Sequence, residues 1–278
     1  MKQFTIILLA IFFNVQHVHS QSVKAISYNI RLNTSSDGEN AWPNRKDFLS
    51  TQVLFFAPDF LGVQEATPEQ MTHLKSVLKD YMSIGQGRDG VNKGEFSAIF
   101  YNTKRFKLEE NHMFWLSETP EHISKGWDAT YPRVCTYGLF TDLKTSKKIW
   151  VFNTHLDHKG HQAQLQGMKL IQDTITKVNT ANYPVILTGD FNVEPESELI
   201  TNLSKSMVNT QDLADLIYGP KGTFSGFKFH EPVTRTIDYI FTSKPAKIKV
   251  TKHAVLSDSD NLKYPSDHFP IFIEFTLK

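Results

Sequence analysis

Pro184-Val185-Ile186-Leu187-Thr188-Gly189-Asp190-Phe191-Asn192 reads as a short apolar strand that ends at a glycine and then presents a carboxylate and a carboxamide two residues apart. An apolar run of this length, bounded by turn formers, fits a strand buried on both faces. In layered α/β proteins ligands gather where such strands end. Asp190 and Asn192 share one period-2 orientation and so can face one cleft. The plainer alternative is a strand-to-loop turn in which both side chains bond their own backbone. The surrounding chain decides between the two.

Outward from that strand, the same pattern recurs. Val23 to Ile30 and Phe60 to Val63 are strands that run into Asn29 and into Gln64-Glu65. Val134 to Asp142 and Lys148 to Asn153 form a hairpin leading to Phe152-Asn153-Thr154-His155-Leu156-Asp157-His158. Thr236 to Phe241 carries Asp238, and Phe269 to Leu277 follows Ser266-Asp267-His268. Ile248 to Val255 is a further strand, and Phe96 to Tyr101 with Phe106 to Leu108 reads as an antiparallel pair. Glu109 to Pro132 is expected to be irregular, and Leu199 to Leu216 mostly helical.

Helices are predicted in three places. Pro43 opens one with Leu49, Val53 and Phe56 as its buried stripe, closed by Pro58. Thr67-Pro68-Glu69-Gln70 is a capping box with proline at the first helical position. Gln162 to about Val178 places Met168, Ile171, Ile175 and Val178 on one face. Strands outnumber helices and several are antiparallel, which argues for a β-rich layered α/β domain over a βαβ array.

The bulk properties exclude several classes. The 278 residues carry a net charge of +1, so no basic surplus advertises nucleic acid. Met1 to Ser20 has the form of a secretory signal, Lys2 followed by an apolar run from Phe4 to Phe13 and a small residue, Ser20, before Gln21. Export to the periplasm or the medium, with 21–278 as the mature domain, is the expectation; an uncleaved interfacial anchor is the alternative. No later segment is long and apolar enough to span a bilayer. Cys135, the lone cysteine, lies in a strand-like run and suits a buried hydrophobe. No HExxH, Gly-x-Ser-x-Gly or P-loop ending is present, which disfavours zinc, serine-hydrolase and P-loop chemistry.

What remains is a set of polar residues at strand ends: Asn29, Glu65, His155, Asp190, Asn192, Asp238, Asp267 and His268. Oxygen donors such as Asn29, Glu65 and Asp267 suit a hard cation, magnesium or manganese. An aspartate inside the apolar run Ile237-Asp238-Tyr239 needs a buried partner, and His268 is the obvious one. Arg45, Arg133 and Arg235 are either surface charges or anion contacts.

Six motifs in order carry a resemblance: Tyr28-Asn29-Ile30, Gln64-Glu65, Asn153-Thr154-His155, Gly189-Asp190-Phe191-Asn192, Ile237-Asp238-Tyr239 and Ser266-Asp267-His268. Together they resemble the endonuclease/exonuclease/phosphatase superfamily over nearly all of the mature chain. Trp42-Pro43-Asn44-Arg45, Gly94-Glu95-Phe96-Ser97 and Gly126-Trp127-Asp128 look like an exported bacterial subgroup of it. The resemblance implies a DNase I-like four-layer α/β/β/α sandwich of two mixed sheets, with the site at one edge. It implies Glu65 as principal magnesium ligand with Asn29 and Asp267 near the ion. It implies catalytic roles for His155, Asp190, Asn192, Asp238 and His268. Asn153, His158, Arg45 and Arg133 are the candidate substrate contacts. Arg31 departs from abasic-site nucleases, which carry an acidic residue there.

Three functional readings follow: a metal-dependent phosphodiesterase or phosphatase acting as a monomer on a small or lipid-linked phosphate, a secreted nuclease, and a non-catalytic binding module. Near-neutral charge favours the first over nucleic acid. Filled catalytic positions disfavour the third. Phe114, Trp115, Trp127 and Tyr131, followed by Arg133, are either packing aromatics or the wall of a pocket for an organic ester.

Overall fold

The computed structural model describes residues 22–278; the expected signal at Met1 to Ser20 lies outside the described residues. In chain order the strands are β1 Val23–Asn29, β2 Phe60–Ala66, β3 Tyr81–Ile84, β4 Phe96–Asn102, β5 Phe106–Trp115, β6 Val134–Asp142 and β7 Lys148–His155. They continue as β8 Val185–Asp190, β9 Met207–Asn209, β10 Leu216–Tyr218, β11 Asp238–Ser243, β12 Ile248–Val255 and β13 Ile271–Leu277. The helices are α1 Trp42–Phe56, α2 Pro68–Val77, α3 His161–Val178 and α4 Glu198–Leu203.

Two mixed sheets result, ordered β10-β12-β13-β1-β2-β4-β3 and β5-β6-β7-β8-β11-β9. The strand pairs β1/β2, β7/β8 and β10/β12 run parallel and the others antiparallel. The β8 sequence explains the layering. Val185 and Leu187 pack outward with Met168 and Ile171 of α3, while Ile186 packs inward with Val151, Ile240 and Ile273 in the core between the sheets. The outer face of the first sheet is covered by Leu49 and Val53 of α1 and by Met71 and Leu74 of α2. The DNase I-like sandwich is thus the consequence of one period-2 alternation buried on both faces.

Local signals set the helix ends. Pro43 stands in the first turn of α1, and Ala57, left-handed at φ 44°, ends it ahead of Pro58. At α2 both halves of the Thr67/Gln70 capping box form. Helix α3 is capped from a distance, with Asp128 accepting from the backbone N–H of Ala163 at 2.7 Å and of Gln162 at 3.2 Å.

Three expectations are corrected. Phe96 to Tyr101 and Phe106 to Leu108 do not pair: β4 lies in the first sheet and β5 in the second. A three-residue connection reads equally as a hairpin turn or a crossover, and here Arg105, bonded to both oxygens of Asp142 at 3.1 Å, fixes the crossover. The strand β5 runs on to Trp115 because a bulge between Leu108 and Glu110 breaks the alternation, and the exposed edge residues Glu110 and Asn111 hide its period. Of Leu199 to Leu216 only the start is helical; the chain then crosses from β9 to β10 through a short 3-10 turn.

Candidate active site

Toward one end of the sandwich the inner faces of both sheets turn from apolar to polar. On β7 the inward sequence is Ile149, Val151, Asn153, His155; on β8 it is Ile186, Thr188, Asp190; on β1 it is Ala25, Ser27, Asn29. The sheets come unusually close at Gly62, where a Cβ would stand 2.4 Å from Thr188 Oγ1 and 2.7 Å from Asn153 Oδ1. Asn153 fills this slot. Its Nδ2 donates to the carbonyls of Val63 and Ala98, both at 2.9 Å, and its Oδ1 accepts from Gln64 Nε2 at 2.7 Å and Thr188 Oγ1 at 3.0 Å.

Beyond that bridge lies the acid and histidine cluster. Asn29 Nδ2 donates to Asp190 Oδ2 at 2.9 Å and to Glu65 Oε1 at 3.1 Å, tying the two sheets. Glu65 sits in the β2 bulge at φ 61°, a left-handed conformation costly for a residue with a Cβ. Asn192 (φ 54°) donates to Leu156 O at 3.1 Å and meets His155 Nε2 at 3.0 Å, while its backbone N–H bonds Asp190 Oδ1 at 2.9 Å. His268 Nδ1 bonds Asp238 Oδ2 at 2.9 Å, and its Nε2 stands 3.8 Å from Asp190 Oδ2.

The electrostatics follow from burial and neighbours. Burial and the nearby Asp238 charge push the Asp190 carboxyl up to about 7, against the pull of His268 and Asn29. Burial opposes a charge on His268, yet Asp238, Asp190 and Asp267 outweigh it and raise the imidazole to about 10. His155 is driven the other way, well below the usual range, by burial and then by Arg133, His268 and Arg88. His155 is therefore a neutral ring whose Nε2 accepts from Asn192, while His268 is a buried cation held between carboxylates.

Among the described residues, two groups at this cluster could receive a metal ion. Asp190, Asp238 and His268 present ligand atoms within 4.8 Å of one another, with His268 Nδ1 already bonded to Asp238 Oδ2 at 2.9 Å. Glu65 and Asp267 fit better. Both face the Arg31 guanidinium at contact distance only, Glu65 Oε2 at 4.0 Å and Asp267 Oδ2 at 3.9 Å, while Arg31 is engaged at 2.8 and 2.9 Å by Asp37. Hard oxygen donors that already draw an internal cation suit a divalent one. Asn29, expected near the ion, turns its amide nitrogen toward Glu65 and Asp190, and its Oδ1 accepts from the Arg31 N–H at 3.0 Å.

A cleft of about 510 Å³ opens over this cluster, lined in part by Glu65, His155, Asp190, Asn192, Asp267 and His268. Arg133 and His158 line it as well. Two expected substrate contacts do not reach it. Asn153 is consumed between the sheets, and Arg45 is buried with its guanidinium on the carbonyls of Ile30, Arg31, Asn40 and Pro265. Of the aromatics expected at a pocket, Tyr131 is a wall residue; Trp115 instead donates Nε1 to Arg88 O at 2.8 Å. Arg88 and Phe224 line the cleft without any motif to mark them, and Glu95 of Gly94-Glu95-Phe96-Ser97 lines it as well. Thr223 lies behind it, its hydroxyl accepting from the N–H groups of Ile237 and Asp238 at 3.1 Å and so setting Asp238. A groove of about 570 Å³ beside β10 contains none of the acid and histidine cluster.

The model of the endonuclease/exonuclease/phosphatase family matches residues 26–268, from β1 to His268. The chain belongs to the endonuclease/exonuclease/phosphatase family. Its chemistry is hydrolysis of phosphoric esters, and this chain is such a hydrolase. Among solved structures of the family, a Bacteroides thetaiotaomicron mannosyl-6-phosphatase is 35% identical, with a TM-score of 0.87 over 92% of this chain and 100% of that one. The human Nocturnin catalytic domain, 20% identical with a TM-score of 0.72 over 92% and 94% of the two chains, shares the fold. The 3'-5'-exoribonuclease subunit Ccr4 of Mycosarcoma maydis is 24% identical over 93% of this chain, which spans 51% of that protein's length.

Proposed function

We propose that this family member is an exported, magnesium- or manganese-dependent phosphatase acting on a small organic phosphate, a sugar phosphate being the best candidate. The observation that carries the reading is the cleft, about 510 Å³ and walled by Tyr131, Arg133 and His158 above the acid cluster. That volume suits one small ligand. The 35% identity to a mannosyl-6-phosphatase over the whole domain supports the sugar phosphate, and the form of Met1 to Ser20 supports export.

A divalent ion held by Glu65 and Asp267 would neutralise charge on the phosphoryl oxygens. The chain's own residues do the rest. Asp190, with a carboxyl near neutrality, accepts the proton of the attacking water. His268, fixed as a cation by Asp238, donates through Nε2 to a phosphoryl oxygen, where preorganised donors act most strongly, while Asn192 places its two amide hydrogens on Leu156 O and His155 Nε2 and so orients that wall. Neutral His155, fixed by Asn192, lies on the same wall.

A nuclease is the second reading, favoured by the likeness to Ccr4. The test is a magnesium-dependent screen of mannose 6-phosphate, bis-p-nitrophenyl phosphate, inositol phosphates, sphingomyelin and plasmid DNA. Turnover of the sugar phosphate is expected; degradation of plasmid DNA at trace enzyme would overturn the ranking.

A further inference from the structure

One wall of the cleft takes no part in the hydrolytic step. Arg88 pairs with both oxygens of Glu95, at 2.9 and 2.8 Å, and its guanidinium lies 4.9 Å from the centre of the Tyr131 ring. Tyr131 is 49% exposed and stacks on His158 at 6.2 Å. Arg133 meets His158 Nδ1 at 3.3 Å and Asp157 Oδ2 at 3.5 Å. The wall is held in place from behind, because Asp157 also accepts from the N–H groups of Thr130, Lys159 and Gly160 at 2.9, 3.0 and 2.8 Å. Arg88 and Arg133 are 9% and 6% exposed, and each keeps a buried Nε without a hydrogen-bond partner.

Charge decides what such a wall accepts. Each guanidinium already faces a carboxylate, so the four groups cancel, and a second anionic group would meet the Glu95 carboxylate at close range. A neutral polyol would not. A vicinal diol brings hydroxyls that each donate and accept, matching the carboxylate and guanidinium edges set side by side in the Arg88–Glu95 pair. Tyr131, half exposed beside Arg88 and His158, adds apolar surface on which the C–H groups of a pyranose can pack.

We propose that Arg88, Glu95, Tyr131, Arg133 and His158 form a subsite for the hydroxyl-bearing ring of a sugar phosphate, the leaving group of the reaction; this rests on the phosphatase reading above. The test compares kcat/KM for mannose 6-phosphate with that for p-nitrophenyl phosphate in the wild type, in Glu95→Gln and in Tyr131→Ala. Tyr131 is half exposed, so its variant leaves the buried pairs in place. The ratio of the two constants is expected to fall at least tenfold in both variants, mainly through KM for the sugar ester. An unchanged ratio in both overturns the subsite and leaves the phosphatase reading intact. If the wild type hydrolyses neither ester, saturation-transfer NMR with free mannose on metal-free protein decides. Binding that is lost in Glu95→Gln upholds the subsite while the phosphatase reading falls, and no binding overturns both.

Discussion

Glu65, Arg31 and Asn192 are left-handed residues with side chains, at φ 61°, 53° and 54°, and all three line the cleft. Strain of this kind persists where surrounding contacts over-determine it, and Glu65 is pinned by Asn29 and by the Leu32 N–H at 3.0 Å. Glu65→Gln keeps the side chain's shape, removes the charge and leaves one oxygen to accept where two did. It should lower kcat by about 10³-fold or more, as should His268→Ala, with unchanged far-UV circular dichroism; near-wild-type turnover by purified His268→Ala would refute the assignment. Arg31→Ala removes the internal cation facing Glu65 and Asp267. Magnesium, titrated by calorimetry, should then bind about fivefold tighter, from roughly 1 kcal/mol of relieved repulsion. Weaker binding would place the ion elsewhere. At this scale Asp190, Glu65, Asp238 and His268 were legible because each stands at or beside one end of an apolar strand: Asp190 closes β8, Glu65 is next to last in β2, Asp238 opens β11 and His268 precedes β13. Arg88 and Thr223 were not: they stand on loops without a period, and their partners are set by folding alone. Asn153 and Arg45 misled because a buried polar side chain near a motif reads the same whether it serves substrate or backbone.

The elements carry their own tests. The slot at Gly62 lets β2 approach β7 and β8, so Gly62→Ala forces a methyl onto Thr188 and Asn153. It should cost about 2–3 kcal/mol in urea unfolding, and no loss would mean that the sheets part easily. At α2, Thr67→Ala removes one half of a formed capping box and should cost about 1 kcal/mol. Thr67 and Pro68 were readable because a cap is a local code. The separation of β4 from β5 was not, since the choice of sheet depends on the distant Arg105–Asp142 pair. Nor was the length of β5, whose exposed edge lacks the hydrophobic alternation on which strand reading rests.

For the molecule as a whole, pH acts through buried histidine outside the cleft. His253 on β12 is 3% exposed, and burial pushes its imidazole down to about 4. Above about pH 6.5 neither the folded nor the unfolded chain protonates it. Between there and about pH 4 the unfolded chain gains a proton that the folded one refuses, so stability falls with pH across that window by about 3 kcal/mol. The drop in unfolding free energy between pH 7.5 and pH 4.5 should be smaller in His253→Gln than in the wild type; equal drops would assign the acid sensitivity to other groups.

The Asn29–Asp190 bond joins a residue of one sheet to a residue of the other, and the His268–Asp238 bond joins the second sheet to the segment that leads into β13 of the first. Neither half of the sandwich owns a complete reaction centre, so turnover reports the docking of the two halves directly. A partly opened form with intact strands but slipped sheets would be silent in assays while still looking folded by far-UV spectroscopy. Along a urea gradient, catalysis should therefore vanish with, or just ahead of, near-UV tertiary signal and never outlast it.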